Sequence, residues 1–188
     1  MSRTKYKKGD ITYLISLAQK GDIKALEELV KRIQKHIYAM FSHLVEKKEE
    51  ISDLTQDVLL KMAKSIYQLK EPKNFKAWLN QIVTNRYYDF IRKNPDKYVE
   101  YDEEKINEIK DKLGCEPGEK CLFGEIEKLV RATLLSLPRD LRITLVLREY
   151  EGLSYEDISK ITNTAVGTVK SRLARARMKL QEELKEFI

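Results

Sequence analysis

Cysteine and histidine are nearly missing from this chain of 188 residues, which holds only Cys115, Cys121, His36 and His43. Structural zinc sites want four ligands in close pairs, and these four residues form no such set. No metal is therefore expected, and the two cysteines read as reduced thiols in a loop. Long apolar runs are absent as well, and nothing approaches the roughly 20 residues of a membrane span. Met1 to Asp10 is basic but lacks the apolar stretch of a signal peptide, so a cytoplasmic location without membrane insertion is expected. No glycine-rich phosphate loop, Ser/His/Asp set or pair of catalytic carboxylates stands out, which gives no support to an enzyme or a cofactor.

What is present is charge and helical pattern. Hydrophobic residues make up 42% and charged residues 35%, the balance of a globular and very soluble chain. The formal net charge of +6 is spread unevenly. Residues 1–95 hold 19 Lys/Arg against 11 Asp/Glu, residues 96–124 hold 5 against 9, and residues 125–188 hold 12 against 10. Two basic blocks joined by an acidic one suit a protein that meets a polyanion at two places.

Helical periodicity dominates, and no convincing alternating strand is found. A short helix is expected from Asp10 to Lys20, before Gly21-Asp22. Ile23, Leu26, Leu29, Ile33, Ile37, Met40/Phe41 and Leu44 make one long stripe. Ile51, Leu54, Val58, Met62, Ile66 and Leu69 make another, with Ser52 or the residues just before it as the cap. Glu71-Pro72-Lys73-Asn74 stops that helix, because proline disfavours helical geometry in its predecessor. Phe75, Trp78/Leu79, Ile82, Tyr87 and Phe90/Ile91 form a third stripe that ends at Asn94-Pro95. The expectation is an all-α protein with two small helical bundles, residues 10–94 and 125–188, joined by an acidic linker over 95–124. Three of the seven glycines fall in that linker, which shows little periodicity beyond Ile106, Ile109 and Leu113.

In the second block Ile126, Leu129, Val130 and Leu134 make a stripe, and Pro138 suits the first turn of the next helix. Leu141, Leu145 and Val146 lead on to Tyr150 and Gly152. Ser154 is a good N-cap, with Asp157 three residues on. Ile158 and Ile161 point inward, and Asn163 tolerates the left-handed conformation of a tight turn. Thr164 can cap a second helix whose inward stripe is Val166, Val169, Leu173, Ala176 and Leu180. Between Thr168 and Leu180 that helix has five cations and no acid. At about 100° per residue, Thr168, Ser171 and Arg175 fall on its outer face, flanked by Lys170 and Arg172. Hydroxyls and an arginine there can read base edges in a major groove while the neighbouring cations hold phosphates. A solvated amphipathic helix is the bland alternative.

These residues resemble a known family. Leu137-Pro138, Gly152-Leu153-Ser154-Tyr155-Glu156-Asp157-Ile158 and Val166-Gly167-Thr168-Val169-Lys170-Ser171-Arg172-Leu173 resemble region 4 of bacterial sigma-70-type factors. Asp53-Leu54-Thr55-Gln56-Asp57-Val58 resembles the polymerase-binding part of region 2. Phe75-Lys76-Ala77-Trp78-Leu79, then Asn85, Asp89 and Arg92-Lys93, resembles the part that opens the strands and reads the −10 element. Length and two-block layout resemble the extracytoplasmic function (ECF) group. Where the family often has an apolar residue and proline before the Val-Gly-Thr-Val segment, this chain has Thr164-Ala165.

The resemblance implies an RNA polymerase sigma factor with core polymerase, promoter DNA and an anti-sigma factor as partners. It implies −35 contacts by Thr168, Lys170, Ser171, Arg172 and Arg175. It implies −10 contacts by Asn74, Phe75, Lys76, Asn85, Arg86, Asp89, Arg92 and Lys93, with Tyr87 and Tyr88 as stacking faces for single-stranded DNA. Asp53, Leu54, Gln56 and Asp57 would dock on the polymerase. On spacing alone, Asp53, Gln56 and Asp57 read as a solvated face, Phe75 and Trp78 as core, and Asn85–Asp89 as a surface hydrogen bond. Two other functions remain open to the sequence: a dimeric helix-turn-helix regulator and a helical adaptor that binds only protein.

Overall fold

The computed structural model describes residues 10–95 and 123–185. The expected linker, with Cys115, Cys121 and the pattern around Ile106, Ile109 and Leu113, lies almost wholly outside the described residues. The described residues are helical with no strand, and they divide into two compact units.

In the first unit, α1 (Ile11–Gln19) starts where the Asp10 carboxylate accepts the Ile11 N–H at 2.8 Å. It stops at Gly21, whose φ of +88° is the left-handed geometry that favours glycine. Asp22 then caps α2 (Ile23–Ser42) by accepting the Ala25 N–H at 3.1 Å. The buried stripe of α2 is Ala25, Leu29, Ile33, Ile37, Met40 and Phe41. Ile23, expected in that stripe, is 70% exposed. It lies two residues, or roughly 200°, around the helix from Ala25, which takes the inward place.

The third helix, α3 (Lys48–Ser65), begins at Lys47 with no side-chain cap. Ser52, expected near the cap, sits inside the helix and donates to the Lys48 carbonyl at 3.0 Å. Glu49 and Glu50 in the first turn offset the partial positive charge of the exposed N–H groups instead. The chain tightens to a 3-10 turn at Ile66–Gln68, and a second 3-10 turn, Pro72–Asn74, leads into α4 (Phe75–Lys93). The core positions of α4 recur every four residues: Phe75, Leu79, Val83, Tyr87 and Ile91. Val83 therefore replaces the expected Ile82, which is half-buried. The Asn94 amide donates to the Phe90 carbonyl at 2.8 Å and ends the helix before Pro95.

The second unit contains α5 (Phe123–Ser136), α6 (Arg139–Glu149), α7 (Tyr155–Thr162) and α8 (Val166–Leu184). Six consecutive residues of α6, Arg142 to Leu147, are buried, so this helix runs through the centre of the unit. Leu141, expected inward, is only half-buried. Pro138 stands at the N-cap rather than in the first turn. The buried Arg142 guanidinium donates to the carbonyls of Leu135 and Leu137, the latter at 2.8 Å, and so closes the α5–α6 turn. A buried arginine is tolerable only because such acceptors receive its N–H groups.

Candidate nucleic-acid interface

The C-terminal surface is built from α7, its turn and α8. The Ser154 hydroxyl accepts the Asp157 N–H at 3.0 Å and donates to the Asp157 carboxylate at 2.7 Å, so one residue both starts α7 and orients its acid. Asn163 takes the left-handed conformation, φ 51° and ψ 48°, as expected of the turn. The Ser159 hydroxyl donates to the Thr164 carbonyl at 2.5 Å, and the hydroxyls of Thr162 and Thr164 lie 2.9 Å apart. These bonds occupy Thr164 within the turn, so it does not cap α8. Ala165 stands at that N-cap, and no side chain caps the helix.

Val169, Leu173 and Ala176 anchor α8, whereas Leu180, expected inward, is half-buried. Gly167, Lys170, Ser171 and Arg175 are exposed, and Thr168 is half-buried. The Ser171 hydroxyl donates to the Thr168 carbonyl at 3.0 Å, and Arg175 Nε reaches the Ser171 carbonyl at 3.4 Å. Arg172 is different: its side chain is 15% exposed and its guanidinium donates to Asp140 of α6 at 2.9 Å. Its charge is largely spent on holding α8 to α6. A Cβ added at Gly167 would meet nothing within 4 Å, so packing inside the chain does not explain this helix-weakening residue.

Tyr155, at the start of α7, was missed as a site residue, and so was Arg148. The Arg148 guanidinium lies 4.8 Å from the centre of the Tyr155 ring and Lys170 Nζ lies 6.0 Å from it. Two cations from separate helices thus gather around one aromatic ring. Arg177 donates to Glu149 at 2.6 Å, and that hydrogen bond pushes its pKa up from its ordinary value, fixing its charge.

The N-terminal surface combines α3 and α4. Asp53 and Gln56 are exposed and Asp57 is partly so, but Leu54 is 1% exposed. Leu54 is a core residue of the unit, so the exposed part of this face is made by its neighbours. Leu60, at 50% exposure, takes its place as the apolar member of the face, at helical spacing from Asp53, Gln56 and Asp57. Sequence could have flagged Leu60, because it lies off the Leu54/Val58/Met62 stripe.

Arg86 Nε donates to Asp57 Oδ2 at 2.8 Å, with a second bond from Nη2 to the same oxygen. A residue expected on the DNA and one expected on the polymerase are therefore partners of each other. The side chains are 29% and 45% exposed, so the pair is one that solvent screens.

Asn74, Lys76, Asn85, Arg92 and Lys93 are exposed and Asp89 is partly so. The Asn85 amide oxygen accepts from Gln81 at 3.0 Å. Phe75 is 6% exposed and Tyr87 fully buried, so both belong to the core and neither offers a face to a base. Trp78 is half-buried with its ring 5.9 Å from that of Phe75, and Tyr88 is also half-buried. Among the described residues no group of acids, histidines or cysteines could hold a metal, and no helix is long and apolar enough to cross a membrane.

Comparison with known proteins matches both parts of the chain. Residues 29–95 match the family described as sigma-70 region 2, and residues 127–180 match sigma-70, region 4. The chain is 33% identical to the RNA polymerase sigma-H factor of Pseudomonas aeruginosa over 93% of its own length and 94% of the relative's. It is 32% identical to the ECF RNA polymerase sigma-E factor of Escherichia coli, covering 93% and 94%. Among solved structures it is similar to the sigma factor RpoE in complex with the anti-sigma factor NepR from Bartonella quintana. That match has a TM-score of 0.64 and 29% identity, covering 86% of this chain and 98% of the other. The fold is also that of CnrH, solved with the cytosolic domain of CnrY, at a TM-score of 0.64 and 21% identity, covering 93% and 97%.

Proposed function

This chain belongs to the sigma-70 family, in its extracytoplasmic function group, and we propose that it binds core RNA polymerase and directs initiation at promoters with −10 and −35 elements. The observation that supports this most is the α7–α8 unit. A capped helix, a left-handed turn and a cationic helix with Ser171 and Arg175 outward match what a major groove accepts. Thr168, Lys170, Ser171 and Arg175 read the −35 element, with Arg148 and Tyr155 beside them on the phosphates. Arg172 supports that surface through Asp140. Gly167 lets the DNA backbone approach the uncapped start of α8, whose free N–H groups favour an anion.

The α3 face of Asp53, Gln56, Asp57 and Leu60 docks on the polymerase. Asn74, Lys76, Asn85, Asp89, Arg92 and Lys93 line the −10 side, where an extruded base offsets the few kcal/mol of unpairing by occupying a protein pocket. Tyr88 is the aromatic available there, since Tyr87 is buried. The protein makes and breaks no covalent bond; the polymerase supplies the chemistry. It works in the cytoplasm, and an anti-sigma factor holds it inactive. Its domains are residues 10–94 and 125–188 with a connector over 95–124, so limited proteolysis should cut first between Asn94 and Gly124. Run-off transcription with core polymerase on genomic fragments tests the function. Discrete start sites that require this protein support it. Binding to duplex DNA as a dimer, without polymerase, would replace it with a conventional helix-turn-helix regulator.

A further inference from the structure

Gln19 is the last residue of α1, and its side-chain amide donates to two main-chain carbonyls, Ile66 at 3.1 Å and Leu69 at 2.6 Å. An amide NH2 group has two hydrogens, and both are used here. The orientation is fixed by chemistry, because the amide oxygen in that place would face two carbonyl oxygens.

The two carbonyls bracket the 3-10 turn that ends α3. That turn's own closing bond runs from the Leu69 N–H to Ile66 at 3.2 Å. The Ile66 carbonyl thus receives Gln19 as a second donor, whereas the Leu69 carbonyl lies past the helix end, where carbonyls lack intrahelical partners, and takes its bond from Gln19. Beyond Leu69 the chain is exposed at Lys70, Glu71, Lys73 and Asn74, and it turns through the bond from the Asn74 N–H to Glu71 at 2.9 Å. It is buried again at Phe75. The segment that leads to Asn74, the first residue proposed on the −10 side, is thus pinned between two buried residues, and its first anchor is clamped by Gln19. Gln19 stands well ahead of residue 29, where the match to sigma-70 region 2 begins.

We infer that Gln19 is a positioning residue for −10 recognition: it holds the Ile66–Leu69 turn, and through it the Lys70–Asn74 segment, in the shape that meets DNA. Every residue ordered before binding is one whose entropy need not be lost on binding, so the clamp acts on how sharply bases are distinguished. The inference rests on the proposed role of this segment in the −10 contact, although the clamp itself does not.

Gln19→Met tests it, since methionine keeps the length, the helix propensity and the packing but cannot donate. In the free full-length chain, amide exchange at Leu69 and Asn74 should quicken about tenfold, while Leu54 and Val58 in α3 stay as they were. The holoenzyme would then be run on duplex promoter libraries randomised at the −10 position or at the −35 position. The Met variant should flatten base preference at −10 severalfold and leave −35 preference and core affinity unchanged. Gln19→Lys, which keeps donors for both carbonyls, should restore the exchange rates and the preference. Unchanged exchange in the Met variant would overturn the clamp. A general loss of protection across α1 to α4, or a Lys variant that behaves like Met, would overturn it equally by making Gln19 a residue of bulk stability. If the unaltered holoenzyme selects no promoter at all, the proposed function fails instead, and the exchange experiment still judges the clamp.

Discussion

The two surfaces are made in opposite ways. The C-terminal surface is almost a local object: cap, turn and recognition helix lie between Ser154 and Arg175, and each short-range bond follows from its neighbours in sequence. The N-terminal surface is assembled from α3 and α4, and its central ion pair joins residues 29 apart in the chain. The lesson is about what charge means in each place. On α8 the exposed cations Lys170 and Arg175 have no carboxylate bonded to them among the described residues, whereas Arg86 on α4, like Arg172 and Arg177 on α8, already has one.

Reversing both acids on α3 should give the largest effect. In the variant Asp53→Lys/Asp57→Lys, two attractive contacts become repulsive and Arg86 faces a like charge. Affinity for core polymerase should fall on the order of 100-fold, about 2.7 kcal/mol, with circular dichroism unchanged. Unaltered co-purification would return the face to plain solvent exposure and remove half of the comparison.

Arg175→Ala comes next. Removing an exposed base or phosphate contact should weaken binding of the holoenzyme to −35 duplex DNA by roughly 1–3 kcal/mol. Core binding and thermal stability should not move. Equal losses of DNA and polymerase binding would mean that the outward face of α8 has been misassigned.

Arg172→Ala, one turn earlier on the same helix, sharpens the contrast, because this cation behaves like Arg86 rather than like Arg175. It should lower unfolding stability by about 1 kcal/mol by removing the charge-assisted bond that ties α8 to α6, a value held down by the partial exposure of Asp140. Any loss of DNA affinity should shrink when stability is restored by lower temperature. Full stability together with a specific loss of DNA binding would make Arg172 a direct contact after all.

Gly167→Ala should have the smallest effect and a split sign. Gly167 stands in the first turn of α8, where the exchange should gain less than the roughly 0.5–1 kcal/mol of a helix interior, and nothing in the chain obstructs the new methyl group. Thermal stability should rise while −35 affinity falls, if DNA is what approaches there. A rise in both would show that glycine serves no contact.

Much of the fold was legible from local pattern. The helix near residue 11, the stop at Asn94, the Ser154 cap and the left-handed Asn163 all follow from neighbours within four residues, whereas α3 ends at Ser65, well before the expected stop at Glu71-Pro72. Hydrophobic spacing also gave most of each stripe, with slips at Ile23/Ala25 and Ile82/Val83 and with Leu141 and Leu180 less buried than expected. Where two apolar residues are neighbours in sequence, as at Ile82/Val83, the packing partner chooses which one turns inward.

Sequence alone determined that this protein is helical, basic in two blocks and equipped with a cationic C-terminal helix, because those properties belong to composition and to contacts within a turn or two. Only the tertiary structure decided which of the marked residues are free to act. Leu54, Phe75 and Tyr87 share motifs with exposed neighbours yet lie in the core, since a motif names positions and not the face that packing buries. Arg86 and Arg172 look like Arg175 in sequence, but each meets a carboxylate brought from another helix. Gln19 carries no sequence signal at all, because its two acceptors lie 47 and 50 residues away. Long-range partners are set by how helices pack, and only that packing separates a charge available to DNA from one already neutralised.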